Sequence, residues 1–342
     1  MSTISSISEL LSLSQCQYRV YDLGRKILKL SKDTFDKIEH CQLPHPSPFQ
    51  GHAHFAIAFW QKHSSQPFIW FAKLPLDERG LLNQGARNHF IAIIVEALGN
   101  DLSVDPTDKQ QELLNSNPYL FTPSQYKLAM LNSLLTVELK QTPSEHYANF
   151  CQYLSEQNWQ QWQHIGVQGI TDFAARLTEQ NNVQLLSDGL THLPFEVLSP
   201  LCGALENCPL PVGVIEQVIS IIKQIKQTDS DKQQMLLRAL ASSAEHPFVD
   251  QHIAGLLEQQ ELSDSQLITL CGRCWQAINT PERTMLLLEH LVKHDEALFP
   301  AIFKDLVAIP TVRPLLFQCM RAPQRSEALS KAIGLLFTPE SN

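Results

Sequence analysis

Residues 180–337 alternate apolar and polar positions with the period of helices that lie half in water. Val212, Val214, Ile215, Val218, Ile219, Ile221, Ile222 and Ile225 recur at spacings of three and four, and Glu216, Lys223, Gln224 and Lys226 take the other face. Further segments of this kind follow, each cut from the next by proline, glycine or a small polar cluster. Asp229-Ser230-Asp231 offers side-chain oxygens to the orphan N–H groups of a helix start, ahead of Met235, Leu236, Leu237, Ala239 and Leu240. Pro247 opens a helix carrying Phe248, Ile253, Leu256 and Leu257. Ser263-x-x-Gln266 is a capping-box pattern and predicts one helix through Leu267, Ile268, Leu270, Trp275 and Ile278. Thr280-Pro281 opens another, since proline suits the first helical position. Two or three more are expected, near residues 298–307, 312–320 and 326–337.

Pro211, Pro247, Pro281 and Pro314 fall 33 to 36 residues apart, the length of one helix pair. Pairs of that length bury their apolar faces by stacking on their neighbours. The spacing therefore predicts an irregular, HEAT-like α-solenoid of helix pairs, with a compact non-repeating bundle as the alternative.

The first hundred residues have a different grammar. Ser6-x-x-Glu9 caps a short helix over residues 2–14. Asp22-Leu23-Gly24 is a turn signal inside a strand-like stretch, residues 17–30, and Phe35 and Ile38 mark a helix over residues 33–41. Pro44-His45-Pro46-Ser47-Pro48 must be loop, because each proline removes a donor and biases its predecessor away from helix. In residues 54–60, Phe55, Ile57 and Phe59 alternate with Ala56 and Ala58; residues 68–74 form a second arm, so an antiparallel hairpin is expected. The helix over residues 81–99 is apolar on every side from Phe90 to Val95, which buries it against the sheet, and Gly99 stops it. Helices near Leu113, after Thr122-Pro123-Ser124 and from Ser144 lead into the array. The fold class expected is mainly α, with a small α+β module over residues 1–110 and a helical repeat-like domain over residues 111–342.

This order resembles an uncharacterised family of gammaproteobacterial proteins of unknown function. The residues that carry the resemblance are Phe68-Ile69-Trp70-Phe71-Ala72-Lys73-Leu74-Pro75-Leu76-Asp77-Glu78-Arg79-Gly80 and the helix behind them. The resemblance implies no activity and no cofactor.

Charge narrows the partner. Residues 1–150 carry 13 basic against 14 acidic side chains; residues 151–342 carry 13 against 21, a net of −8. An acidic array repels phosphate backbones, so a protein partner is expected and a nucleic acid is not. Arg25, Lys26, Lys29 and Lys32 form the densest basic stretch. No basic n-region precedes an apolar core at the N-terminus, and no apolar run approaches about 18 residues, so neither a secretory signal nor a membrane span is expected. Eight scattered cysteines fit reduced thiols, and the expected location is cytoplasmic.

Candidate chemistry is sparse. Asp77, Glu78 and Arg79 sit where a strand meets a helix, with Asn83 and Arg87 one helical turn apart beyond them. These five are the expected ligand or partner contacts, set against a simple turn whose acidic residues favour the helix dipole. Cys271-x-x-Cys274 falls within the predicted fourth helix, which suits buried thiols better than a redox pair or zinc site. His40, Cys41, His45, His52 and His54 crowd fifteen residues and are expected to be solvated. His290-x-x-x-His294 lacks the zinc-protease glutamate, and Trp159 and Trp162 suit a packing seam. No nucleophile elbow, phosphate loop or dinucleotide fingerprint occurs. No catalytic, cofactor or metal residue is therefore assigned. The expected function is a non-enzymatic scaffold or adaptor working through the acidic helical surface; the alternative is an enzyme or small-ligand binder with a pocket where sheet and array join.

Overall fold

Four strands, β1 (Gln17–Asp22), β2 (Leu28–Leu30), β3 (His52–Trp60) and β4 (Phe68–Pro75), form an antiparallel sheet in the order β2-β1-β3-β4. The computed structural model describes residues 4–61, 67–99, 102, 107–225, 229–259, 261–294 and 297–337, and the rest of it is mainly helical. The chain divides into two compact units: Met1–Pro123 with Asp305–Arg313, and Ser124–Lys304 with Pro314–Asn342.

In the first unit, the register aligns Val20 with Ile57 and Ile57 with Trp70, so large side chains form rows on one sheet face. Helices α1 (Ile7–Leu13), α2 (Lys32–Glu39) and α3 (Gln84–Leu98) share a core with that face through Leu11, Phe35, Ile38, Phe90 and Ile94. Ala56 and Ala58, on the other face as the alternation predicts, are also fully buried. Asn83 caps α3 by accepting from Ala86 N–H, and Gly99 ends it at φ 66°, a conformation that needs glycine. A further helix, α4 (Asp108–Asn115), begins with a capping box between Thr107 and Gln110.

The polar side chains of this unit depart from expectation. Arg25 and Lys26 are buried rather than displayed. The Arg25 Nε donates to Pro48 O at 3.0 Å, and its Nη1 to Asp305 Oδ2 at 2.7 Å. Of the predicted basic stretch only Lys29 and Lys32 are exposed, the Lys32 ammonium lying 4.2 Å from the Tyr18 ring centroid. His45 also corrects the solvated-histidine expectation. It is fully buried against Phe55, because its N–H bonds Gly80 O and anchors the proline-rich loop inward.

Every regular element described in the second unit is a helix. Its helices are α5 (Gln125–Glu138), α6 (Glu145–Glu156), α7 (Val167–Ala175), α8 (Asn182–Gly189), α9 (Phe195–Leu205), α10 (Val212–Gln224), α11 (Ser230–Ala239), α12 (Pro247–Leu257), α13 (Asp264–Arg273), α14 (Pro281–Leu291), α15 (Leu298–Val307), α16 (Arg313–Arg321) and α17 (Glu327–Leu335), with the end of α15 and the start of α16 grouped with the first unit. From α5 to α14, each helix packs on the one two places along. One rank runs α5, α7, α9, α11, α13; the other runs α6, α8, α10, α12, α14. Pro211, Pro247, Pro281 and Pro314 stand at the starts of α10, α12, α14 and α16. Polar bonds recur one helix pair on: Arg238 to Glu206 across 32 residues, Arg283 to Asp250 and His290 to Leu257 O across 33, Ser326 to Glu289 across 37.

Two local expectations change. The predicted helix through Ile278 stops at Arg273, where Cys274 N–H turns back to Leu270 O and a separate turn carries Trp275. The Cys271–Cys274 pair therefore lies at the C-terminal end of α13, buried, where the helix dipole opposes a thiolate. Trp159 packs within the second unit, edge-on to Tyr153 and stacked on His192.

Candidate functional site: the open edge of β4

β4 is an outer strand, so half of its backbone faces away from the sheet. Phe68, Trp70, Ala72 and Leu74 turn their N–H and C=O groups to β3; Ile69, Phe71 and Lys73 turn theirs outward. A short stretch of the chain covers part of this edge. Lys73 N–H donates to Tyr119 O at 2.6 Å, and Phe121 N–H to Phe71 O at 3.1 Å, with Ala72 opposite Leu120. Continued by two residues, the ladder would bring Pro123 opposite Ile69. Proline has no N–H to give, so pairing ends there. The Ile69 N–H and C=O have no partner among the described residues.

Beside that open length lies a cavity of about 680 Å³. Phe68, Trp70 and Phe121 contribute aromatic surface, Ile94 and Leu98 come from α3, and Gln111 and Asn115 from α4. None of its lining residues has an ionisable side chain. Asn117, only 4% exposed, uses its Oδ1 to accept from Tyr119 N–H, while its Nδ2 is buried without a partner. A buried donor left unmade is costly. Volume and lining fall within the usual range for ligand sites.

The five sequence-predicted contact residues lie elsewhere in the same unit. Asp77 and Arg79 meet in one exposed turn, where the Asp77 carboxylate accepts Leu81 N–H at 2.8 Å, Arg79 N–H at 2.9 Å and Arg79 Nη2 at 3.2 Å. Those bonds, Leu81 N–H foremost, hold its carboxyl below the usual range. Glu78 is exposed beside them, and Gly80 takes the positive φ of 82° that the turn requires. Asn83 spends its side chain on the α3 cap. Arg87 is buried and turns from that group, donating to Glu39 O and, through Nη2, to Asn88 Oδ1 at 2.8 Å.

The other candidates do not converge. His52 and His54 share a strand face with ring centroids 6.2 Å apart, while His45 is buried 3.8 Å from Asp22 Oδ1. His290 bonds Leu257 O at 2.9 Å and His294 pairs with Asp264. Among the described residues no group of three or more His, Cys, Asp or Glu is placed to hold a metal ion, and no helix is long and apolar enough to cross a membrane. Sequence reasoning missed Ile69 and Asn117. The signal available was the short apolar run Tyr119-Leu120-Phe121, bounded by Pro118 and Pro123, which reads as a strand fragment that proline cuts short.

The fold is thus that of a mainly helical protein with a small antiparallel sheet near its N-terminus. Residues 2–337 match the family described as Protein of unknown function (DUF3549), and the chain belongs to that family. No curated protein and no solved structure matches it.

Proposed function

We propose that the protein is a non-enzymatic interaction adaptor, working in the cytoplasm of a gammaproteobacterium, that takes an extended segment of a partner protein along the edge of β4. The observation that carries this is the unfinished ladder at Ile69. The edge already accepts an antiparallel stretch of its own chain as far as Phe121, and the next donor and acceptor stand open beside aromatic surface. Strand addition uses such an edge: the backbone supplies affinity, and alternate side chains fill the adjoining hollow. The neutral lining favours a segment that is uncharged where it enters. The second unit supplies the scaffold. Its two ranks, and the bonds repeated one helix pair on, support a HEAT-like array of helix pairs with an acidic surface.

The test is crosslinked recovery of a partner from the native host, followed by reconstitution from purified proteins. Wild type should bind the partner, and Ile69→Pro, which removes the outward N–H without removing a ladder bond to β3, should weaken the complex at least tenfold. The proposal fails if no partner survives reconstitution, or if Ile69→Pro binds as well as wild type.

A second use of the same hollow is a small apolar ligand, favoured by its volume and aromatic lining. Solvent extraction of the purified protein and mass spectrometry of the extract separate the two: a stoichiometric small molecule supports the ligand and argues against the peptide.

A further inference from the structure

In the second unit the surface between α10 and α12 is hollowed into a groove of about 780 Å³. Glu216, Ser220 and Lys223 line it from α10, and Phe248, His252 and Gly255 from α12. Three of these features bear on what the groove can hold. The His252 side chain is only 9% exposed, yet its Nε2 meets no hydrogen-bond partner. Burial, with Lys223 adding to it, pushes the ring's pKa down to about 4, so the imidazole is neutral at pH 7. Gly255 lies in the helix interior, where glycine weakens a helix, and a Cβ there would meet nothing within 4 Å. The missing side chain leaves room for another backbone to come close. Phe248 shows 41% of its surface at the groove.

Charge selects the occupant. Glu216 and Glu258 outnumber Lys223 along the groove, within a stretch, residues 151–342, whose 13 basic and 21 acidic side chains sum to −8. An acidic segment is repelled and a basic one attracted, in approach as well as in place. We propose that the α10–α12 groove holds a basic, partly apolar segment of a partner protein. Its Lys or Arg side chains face Glu216 and Glu258, an apolar side chain lies on Phe248, and its backbone crosses Gly255. This extends the adaptor reading to the second unit and fails separately from it.

The test uses the full chain and a phage-displayed library of random twelve-residue peptides, with fluorescence titration of the synthesised winners. Winners should be enriched in Lys and Arg beside apolar residues. Gly255→Leu, which favours the helix while filling the groove, should weaken them at least tenfold with helical circular dichroism unchanged. Glu216→Lys with Glu258→Lys should weaken them to a similar extent, and more at low salt than at high. Ile69→Pro should leave their affinity unchanged, which separates this groove from the β4 edge. The proposal is overturned if no peptide is selected, if the winners lack basic residues, or if they bind Gly255→Leu and wild type alike. It is also overturned if sedimentation finds a dimer that Gly255→Leu converts to monomer, because the occupant is then a second copy.

Discussion

The guanidinium of Arg87 donates to the main-chain carbonyl oxygen of Glu39, tying α3 to the end of α2. The Glu39 carboxylate in turn accepts Ile7 N–H at 2.6 Å and Ser8 N–H at 3.0 Å, so a side chain of α2 caps the first turn of α1. Three helices of the first unit meet at this one residue. Burial raises the Glu39 carboxyl's pKa, and the bonds from Ser8 and Ile7 pull against that rise.

Removing the carboxylate leaves two N–H groups buried at a helix start. Glu39→Ala should therefore cost about 2–3 kcal/mol, and Glu39→Gln less, since an amide oxygen still accepts one of them. Arg87→Ala should cost about 2 kcal/mol through the orphaned carbonyl and lost packing. Urea denaturation measures both, and amide exchange at Ile7 and Ser8 should quicken in Glu39→Ala before it does elsewhere. Unchanged exchange at those two amides would mean that α1 holds without its cap.

Proline distinguishes the two sides of β4. The Ile69 N–H points out of the sheet and the Trp70 N–H points to β3. Ile69→Pro should cost under about 1 kcal/mol, and Trp70→Pro about 3 kcal/mol or more, because only the second removes a ladder bond. Comparable losses in urea midpoint for the two variants would show that the outward assignment of Ile69, and with it the open edge, is mistaken.

What the sequence disclosed was local chemistry. Val214, Ile215, Val218, Ile219 and Ile222 are all buried as their period requires, while Val212, at the exposed first turn, is 48% accessible despite the same pattern. The Ser263 and Gln266 capping box closes in both directions, at 2.9 and 3.3 Å. Gly99 stops α3 where expected. Partners distant in sequence were out of reach. Arg25 looks like a surface cation until Asp305, 280 residues on, takes its charge. Arg87 shares a helix turn with Asn83, but nothing in that spacing reveals that the end of α2 lies beneath it. The candidate edge at Ile69 depends on strand order, and strand order is a long-range property that hydrophobic alternation does not encode.

His252 links stability to pH. Its folded pKa lies near 4, below the ordinary 6.5, because burial disfavours the charged ring. Above pH 6.5 the ring is neutral in folded and unfolded chains alike, and its full contribution is present. As pH falls toward 4 the unfolded ring takes a proton that the folded ring refuses, so stability drops by up to about 1.4 kcal/mol per pH unit. His45 is held low for the same reason, with Asp22 opposing, and should add slope of the same sign. In His252→Leu, urea midpoints between pH 6.5 and 5.5 should fall less steeply than in wild type, with the His45 share remaining. Parallel profiles would mean that His252 is protonated in the folded chain.

Two glycines should respond to alanine with opposite signs. At Gly169 in α7, an added Cβ would sit 2.4 Å from the main-chain oxygen of His146 in α6. Both partners are helix backbone, so the crossing of α6 and α7 must open, at a cost of about 2–3 kcal/mol. At Gly213, near the start of α10, a Cβ meets nothing within 4 Å and the backbone is helical. Alanine there removes freedom from the unfolded chain and should stabilise by about 0.5–1 kcal/mol. Urea denaturation of the two single variants reads the difference directly. If Gly169→Ala matches wild type, α6 and α7 lie further apart than their backbones indicate, and their close approach is lost as an explanation for glycine at that position.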